Sequence, residues 1–356
     1  IEAFFHNVLL DEKDRAAFRF LWYENEKMKE LFTSMFLMYT FGSSAAPSAT
    51  TFVLQHHSDQ LVGIISEGVR KIMKEQFYVD DCGAGENTIK ACQDICIELE
   101  KAMKMGGFPL AKWKFSDVRI DPNWKEGDPT EISEEERHQK ILGIAWDMKQ
   151  DTFSVAVEEE KFVARATTPR EVVQQQAQLY DPLGIVAPFI LLGRQWTQQE
   201  MKGNWGWDIK LDPIVERGFN KWTDSIPLLK SLSVPRAFET HQTLGGQQQL
   251  HIFCDASTTG YGAVAYLRKV GPYKDIRVNF VMGKSHVIPL NPTRTSHHNS
   301  TPRMELTASV KGTELLSAIQ QSYRVNVDKI FLWTDSKCVL DQICGTTKSP
   351  FTFVAN

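Results

Sequence analysis

The chain has 356 residues, 42% of them apolar and 24% charged, with a formal net charge of −4. That is the composition of a soluble globular protein long enough for two or three domains, and its slight acidity argues against a chain that is basic throughout for nucleic-acid binding. No apolar run approaches the roughly 18 residues needed to cross a bilayer, and residues 1–11 lack the flank, apolar core and cleavage site of a secretory leader, so an intracellular protein without a membrane partner is expected.

The chain opens on apolar Ile1-Glu2-Ala3-Phe4-Phe5 and closes on Phe353-Val354-Ala355-Asn356, and both edges read as cuts within domains. Helical spacing runs over 47–60 and again over 61–76, where Val62, Ile65, Val69 and Ile72 fall near one face. Phe77-Tyr78-Val79 then runs into Asp80-Asp81, followed by Gly83 and Gly85, which reads as strand, tight turn, strand. Thr88 to Met105 is helical, with Cys92, Cys96, Leu99 and Met103 on one side and Gly106-Gly107 as its stop. Residues 121–136 hold seven acids against one lysine and read as a solvated loop.

Strands follow at 140–147 and 152–157. From Pro169 to Arg236 the pattern is mostly helical, interrupted at Asp181-Pro182-Leu183-Gly184. The tryptophans of this stretch, Trp196, Trp205, Trp207 and Trp222, read as core in preference to base-stacking platforms. The last third gives three strands (249–255, 262–268, 277–282), a helix (302–319), a strand (329–334) and a helix start (336–343), a mixed sheet with flanking helices. Over residues 264–303, Arg268, Lys269, Lys274, Arg277, Lys284, Arg294 and Arg303 face only Asp275, either a solvated run or a phosphate-contacting one. The six cysteines show no C-x2-C pair and no histidine at zinc-finger spacing, so free thiols are expected, with Cys92 and Cys96 in a core.

Two acidic constellations carry chemistry. Adjacent carboxylates at a strand turn raise each other's pKa unless a cation is present, and hard oxygen donors on a rigid hairpin suit Mg2+, with Mn2+ as the alternative. Asp80-Asp81 behind Phe77-Tyr78-Val79 fits that need better than it fits a merely exposed turn. Asp255 ends a strand, Glu305 lies in the first turn of a helix and Asp335 ends another strand. Such placements bring carboxylates to one sheet edge, where two metal ions about 3.5–4 Å apart clamp an in-line phosphate displacement. Each acid alone is unremarkable, and Glu305 has a rival role in complementing the helix dipole.

The first constellation resembles the Y-x-D-D hairpin of reverse transcriptases. Phe41-Gly42 with Pro47 resembles the segment of that family that supports template and incoming base. Gly106-Gly107-Phe108 through Lys112-Trp113-Lys114-Phe115, followed by Leu142-Gly143, resembles its triphosphate-side lysine motif and primer grip. The resemblance implies catalytic, metal-holding roles for Asp80 and Asp81. It also implies that Tyr78, Gly42, Leu142 and Gly143 contact substrate, that Lys112 donates a proton to pyrophosphate, and that Phe5 is a steric gate against ribonucleotides. A surface lysine and a helix-breaking glycine are the plain alternatives for Lys112 and Gly42.

The ordered set Asp255, Glu305 and Asp335 resembles an RNase H site, with the same three acids as metal ligands. Leu179-Tyr180-Asp181-Pro182-Leu183-Gly184-Ile185-Val186-Ala187-Pro188, Trp205-Gly206-Trp207-Asp208 and Ile226-Pro227 resemble the segment between polymerase and RNase H in BEL/Pao retrotransposon Pol polyproteins.

The implied fold is multidomain α/β and α+β. Residues 1–157 are part of a right-hand polymerase palm with its primer grip, 158–245 a thumb or connection, and 246–356 an RNase H-like domain truncated at its C-terminus. The implied function is RNA-directed DNA polymerase with ribonuclease H activity. Its partners are RNA template, DNA primer, RNA–DNA hybrid, dNTPs and the rest of Pol, protease and integrase included, in a cytoplasmic virus-like particle or the nucleus. The chain alone is expected to be incompetent, since by the resemblance the first palm aspartate precedes Ile1 and the last RNase H acid follows Asn356. Two rival readings are an aspartic peptidase, which the lack of any D-[ST]-G disfavours, and a co-opted, non-catalytic nucleic-acid-binding remnant.

Overall fold

The computed structural model describes residues 1–23, 31–128, 131–134, 137–203, 206–238, 246–290, 300–322 and 327–345. The chain divides into two compact units, residues 1–137 and 138–356.

In the first unit, β1 (Arg19–Tyr23) pairs antiparallel with β2 (Leu31–Met35). Three helices follow, α1 (Ala46–Gln60), α2 (Glu67–Glu75) and α3 (Ile89–Met105), with a short hairpin of β3 (Phe77–Tyr78) and β4 (Asp81–Cys82) between the last two. Phe4, Leu54, Val69, Ile72, Met73, Leu99, Met103 and Phe108 form one buried core beneath them. The helix expected over 61–76 is shorter than its apolar spacing suggests. Ser66 starts it afresh by accepting a hydrogen bond from the Val69 N–H, while residues 61–65 turn back on themselves through a Val62–Ile65 bridge. A local cap thus overrides the periodicity. Thr88 caps α3 in the same way, accepting from the Ala91 N–H.

The second unit begins with β5 (His138–Ile141), β6 (Ile144–Asp147) and β7 (Thr152–Val155), joined by β8 (Val234–Pro235) in an antiparallel sheet of order β5-β6-β7-β8. The single strand expected at 140–147 is in fact a hairpin. Leu142 and Gly143 both take positive φ, 48° and 80°, the two-residue turn whose twist matches its flanking strands. The helices α4 (Pro169–Ala177), α5 (Ala187–Glu200) and α6 (Pro213–Asp224) pack around Val172, Val186, Phe219, Trp222 and Ile226. Trp222 is buried and donates from Nε1 to the Phe189 carbonyl at 2.9 Å, and Trp196 borders the same core. Trp207 stays 46% exposed under the Arg170 guanidinium, 5.6 Å from its ring centroid, and Trp205 lies outside the described residues.

The remaining sheet contains β9 (Gln247–Ala256), β10 (Gly260–Val270), β11 (Ile276–Val287) and β12 (Lys329–Trp333), in the order β11-β10-β9-β12. The first three are antiparallel, whereas β12 runs parallel to β9. Between β11 and β12 the chain passes through α7 (Thr301–Ser322), and α8 (Lys337–Ile343) follows β12. Strand alternation sends Leu250, Ile252 and Cys254 toward Ala308, Leu315 and Ile319 of α7. On the other face His251, Phe253, Tyr266, Phe331 and Trp333 form a chain of ring contacts. Of the basic run, Lys269 is fully buried, on the same face as Ala263 and Ala265, and so is withdrawn from any phosphate; Arg294 lies outside the described residues. All six cysteines are free, with Cys96 and Cys254 buried. Among the described residues no helix is long and apolar enough to cross a membrane.

Gly312 sets how closely α7 approaches β9, because a Cβ there would lie 2.2 Å from the Cys254 sulfur and 3.4 Å from Ile252. Alanine favours a helix over glycine by about 1 kcal/mol, but overpacking a tight core costs about 1–3 kcal/mol. Gly312→Ala should therefore lower stability, whereas Gly312→Ala combined with Cys254→Ala should regain or exceed the wild-type melting temperature. Calorimetry of the two variants checks the sign. An unaided gain by the single variant would show that α7 has slack.

Candidate metal centre

The parallel register pairs Trp333, the last residue of β12, with Phe253; Asp255 follows two residues on within β9, and Asp335 two residues past the end of β12. Both carboxylates therefore leave the same edge of the sheet. Glu305 reaches that edge from α7, seven residues or about 10 Å of helix before Gly312, where α7 rests on Cys254. One carboxylate oxygen from each of Asp255, Glu305 and Asp335 lies within 4.8 Å of the others. These are the second constellation read from the sequence, brought together from two strands and a helix.

The helix begins at Thr301, so Glu305 opens its second turn, and the first turn holds no acid. This corrects the placement expected from the sequence. It also weakens the rival role for Glu305, since the dipole's pull falls off within the first turn. The residue is only 8% exposed, and its Oε2 makes no hydrogen bond among the described residues. Burial, then the charges of Asp255 and Asp335, push its carboxyl above the ordinary range. The Ala256 N–H, which donates to Asp255 Oδ1 at 2.7 Å, pulls the Glu305 carboxyl the other way but only in part. A buried, unpartnered carboxylate oxygen costs free energy unless a cation satisfies it. Three hard oxygen donors at this spacing fit a divalent ion of the Mg2+ or Mn2+ type.

In the first unit Asp80 and Asp81 stand exposed at the β3–β4 hairpin, with Val79 and Asp80 as its turn and Asp81 paired to Tyr78. The turn comes earlier and is tighter than Gly83 and Gly85 suggested, because those glycines follow β4. Val79 takes φ 56°, rare for a β-branched residue, while its side chain packs against the core. Phe5 borders the same core and meets Phe41 edge-on at 5.3 Å. The Ile1 nitrogen donates to the Asp80 carbonyl, which sets the first residues beside the turn. Gly42, at φ 87°, lies just ahead of α1, and exposed Lys112 takes φ 58° in the loop after Phe108. Leu142 and Gly143 belong to the second unit, and Gly143 faces the Tyr180 ring, which a Cβ would meet at 2.5 Å.

The sequence reads Asp181-Pro182 as the start of a turn, and the structure bears this out: the two Asp181 carboxylate oxygens accept the Ile185 and Val186 N–H groups at 2.9 and 2.8 Å, just ahead of α5.

The family described as "Pao retrotransposon-like RNaseH-like domain" matches residues 168–336, from the cap of α4 to Ser336, so the match contains Asp255, Glu305 and Asp335. Two solved structures share the fold. A foamy viral protease-reverse transcriptase described as dRH, in complex with double-stranded DNA, aligns at TM-score 0.53 and 13% identity, over 96% of this chain and 50% of its own. A second foamy viral protease-reverse transcriptase with double-stranded DNA aligns at TM-score 0.50 and 12% identity, over 96% and 59%. The chain thus spans about half the length of these structures. No curated protein matches it.

A carboxyl held above its ordinary value of 4.5 contributes stability that is full below that value and is lost as pH rises through the folded value. At pH 7 without divalent ions, Glu305→Gln should therefore melt higher than wild type, and the two should converge as pH falls below the ordinary carboxyl value. Adding Mn2+ should raise the wild-type melting temperature and leave the variant's unmoved. A variant that melts lower than wild type at pH 7 in chelator would show that Glu305 is satisfied without a cation.

Proposed function

We propose that this chain, whose residues 168–336 match the Pao retrotransposon-like RNaseH-like domain family, supplies the divalent-metal ribonuclease H centre and part of the polymerase centre of an RNA-directed DNA polymerase of a Pao-type retrotransposon. The observation that carries the reading is the meeting of Asp255, Glu305 and Asp335 within 4.8 Å, with a buried Glu305 oxygen left unpartnered. Mg2+ bound there, with Mn2+ as a substitute, would stabilise charge on a transferring phosphoryl group. The chain's own part is to hold the ligands still. Asp255 is anchored by the neighbouring Ala256 N–H, Asp335 is followed by Ser336, whose hydroxyl caps α8, and Glu305 rides on a 22-residue helix locked against β9. Because the two foamy viral structures hold double-stranded DNA, a nucleic-acid duplex is the proposed ligand, and an RNA–DNA hybrid the proposed substrate.

The polymerase reading rests on the β3–β4 turn. Asp80 and Asp81 are adjacent, exposed and carried on a strained turn braced by Val79, as a site that holds cations against incoming phosphates requires. In this reading Phe5 is the gate that excludes a 2′-hydroxyl, residues 1–157 form part of a palm, and residues 158–245 serve as the thumb or connection.

Mg2+-dependent cutting of the RNA strand of a labelled hybrid by a Pol protein containing this chain tests the first reading. Asp255→Asn or Asp335→Asn should lower the rate by about 100-fold, the equivalent of losing several kcal/mol of transition-state stabilisation. Saturable Mn2+ binding by the chain, weakened in the same variants, should accompany it. Unchanged binding in both variants would discard the metal centre in favour of a nucleic-acid-binding remnant.

For the polymerase reading, a Pol protein containing this chain should stop incorporating dNTPs on Asp80→Asn and should use ribonucleotides more readily on Phe5→Ala. Primer extension with dNTPs and with rNTPs separates the two effects. Equal rNTP use by Phe5→Ala and wild type would remove the gate.

A further inference from the structure

The stretch Tyr180-Asp181-Pro182-Leu183-Gly184-Ile185-Val186-Ala187-Pro188 plays no part in the centre just described, yet it is tied tightly to the sheet that carries that centre. β11 is an edge of its sheet, and an edge strand leaves a row of unpaired N–H and C=O groups. Here part of that row, at Gly283 and Ser285, is taken up by the turn before α5 and by α5 itself. The Gly283 N–H donates to the Leu183 carbonyl at 2.8 Å, and the Ser285 hydroxyl donates to the Ala187 carbonyl at 2.8 Å. Arg194 donates to the Ser285 carbonyl at 3.2 Å, and the Gln198 side-chain amide donates to the Ile288 carbonyl.

Two glycines permit the approach. A Cβ on Gly184 would stand 2.0 Å from the Gly283 carbonyl oxygen, and one on Gly283 would meet the Gly184 oxygen at 3.0 Å. Gly184 also takes φ 77°, which L side chains adopt only under strain. Asp181 sets the turn by holding the Ile185 and Val186 N–H groups with its two oxygens.

The register fixes where this joint lies. Ser285 pairs with Gly262, and Gly262 pairs with Asp255. Directly opposed residues share a face, so Ser285 and Asp255 lie on the same face two strand spacings apart, about 10 Å.

We propose that residues 181–188 are a clasp that covers the β11 edge at Gly283–Ser285 and fixes α5 as a wall about two strands from the carboxylate cluster. Asp181, Gly184, Gly283 and Ser285 are its positioning residues. Bulk lost from the joint or added to it moves the wall without touching the metal ligands. The clasp stands on geometry alone. Its consequence, that the wall sets where a bound hybrid is cut, rests on the nuclease reading.

Hydrogen exchange on the full chain tests the clasp. In Gly184→Ala the Gly283 amide should exchange at least about tenfold faster than in wild type, while the β9–β10 amides of Ile252 and Ala265 and the binding of Mn2+ stay unchanged. Ser285→Ala, which adds no bulk, should give a smaller change confined to the same strand, and it carries the test if Gly184→Ala does not fold. Wild-type protection at Gly283 in a folded Gly184→Ala, or loss of protection spread evenly over β9, β10 and β11 in Ser285→Ala, overturns the clasp. On an end-labelled hybrid cut by a Pol protein containing this chain, Ser285→Ala should spread the cut positions by one nucleotide or more at unchanged Mn2+ affinity. An unchanged cut pattern beside a loosened β11 removes the wall's role. A wild-type chain that binds no Mn2+ removes the nuclease reading and leaves the exchange result to decide the clasp.

Discussion

The parallel pairing of β9 with β12 is the constraint from which the second unit's chemistry follows. Two parallel neighbours cannot be joined by a hairpin, so the chain must cross a face of the sheet to return. Here it does so through α7. Parallel strands also end at the same edge, which is why Asp255 and Asp335 arrive side by side. The returning helix then brings Glu305 in from above. Gly312, by letting α7 sit directly on Cys254, turns a loose convergence into a cluster of oxygens within 4.8 Å. Repulsion among three carboxylates opposes that convergence, and the apolar contacts of Leu250, Ile252, Ala308 and Leu315 offset it. The site is thus strained by charge and held by packing, which is the condition in which a cation binds with most effect.

What could be read from the sequence follows the range of the forces involved. The alternation in 249–255 and the spacing in 302–319 are local signals, and both elements formed close to where those signals put them. Boundaries set by a single hydrogen bond were harder to see. Ser66 cuts a helix out of a longer apolar repeat, and the Leu142–Gly143 turn splits a strand whose pattern looks continuous. Contacts between distant segments were beyond local reading. Gly184 and Gly283 each look like ordinary turn or strand glycines, and only the fold shows that each leaves room for the other. Lys269 teaches the same lesson about charge: a run counted as basic includes a side chain that the fold buries.

The two acidic constellations differ in how much of their support lies nearby. Asp80 and Asp81 are adjacent in sequence, so a two-residue turn suffices to present them, and the motif was visible as a string of letters. The cost falls on Val79, whose positive φ costs on the order of 1–3 kcal/mol and must be held by the core beneath it. Asp255, Glu305 and Asp335 are spread over 80 residues, and no local pattern brings them together. Their order along strand, helix and strand was legible, but their meeting depends on register.

Asp181 bears on the peptidase reading more directly than the absence of a motif does. An aspartic dyad works through two carboxylates that face each other and share a proton, so each must keep an oxygen free for its partner and for water. Both Asp181 oxygens are occupied by backbone N–H groups ahead of α5, at 2.9 and 2.8 Å. Freeing them would leave two donors unpaired at the point where the chain turns onto β11. The same two bonds hold Leu183 and Gly184 against Gly283, so a catalytic role would have to dismantle the contact that keeps α5 beside the sheet. In this fold the aspartate of the Asp-Pro-Leu-Gly stretch is used to build a turn.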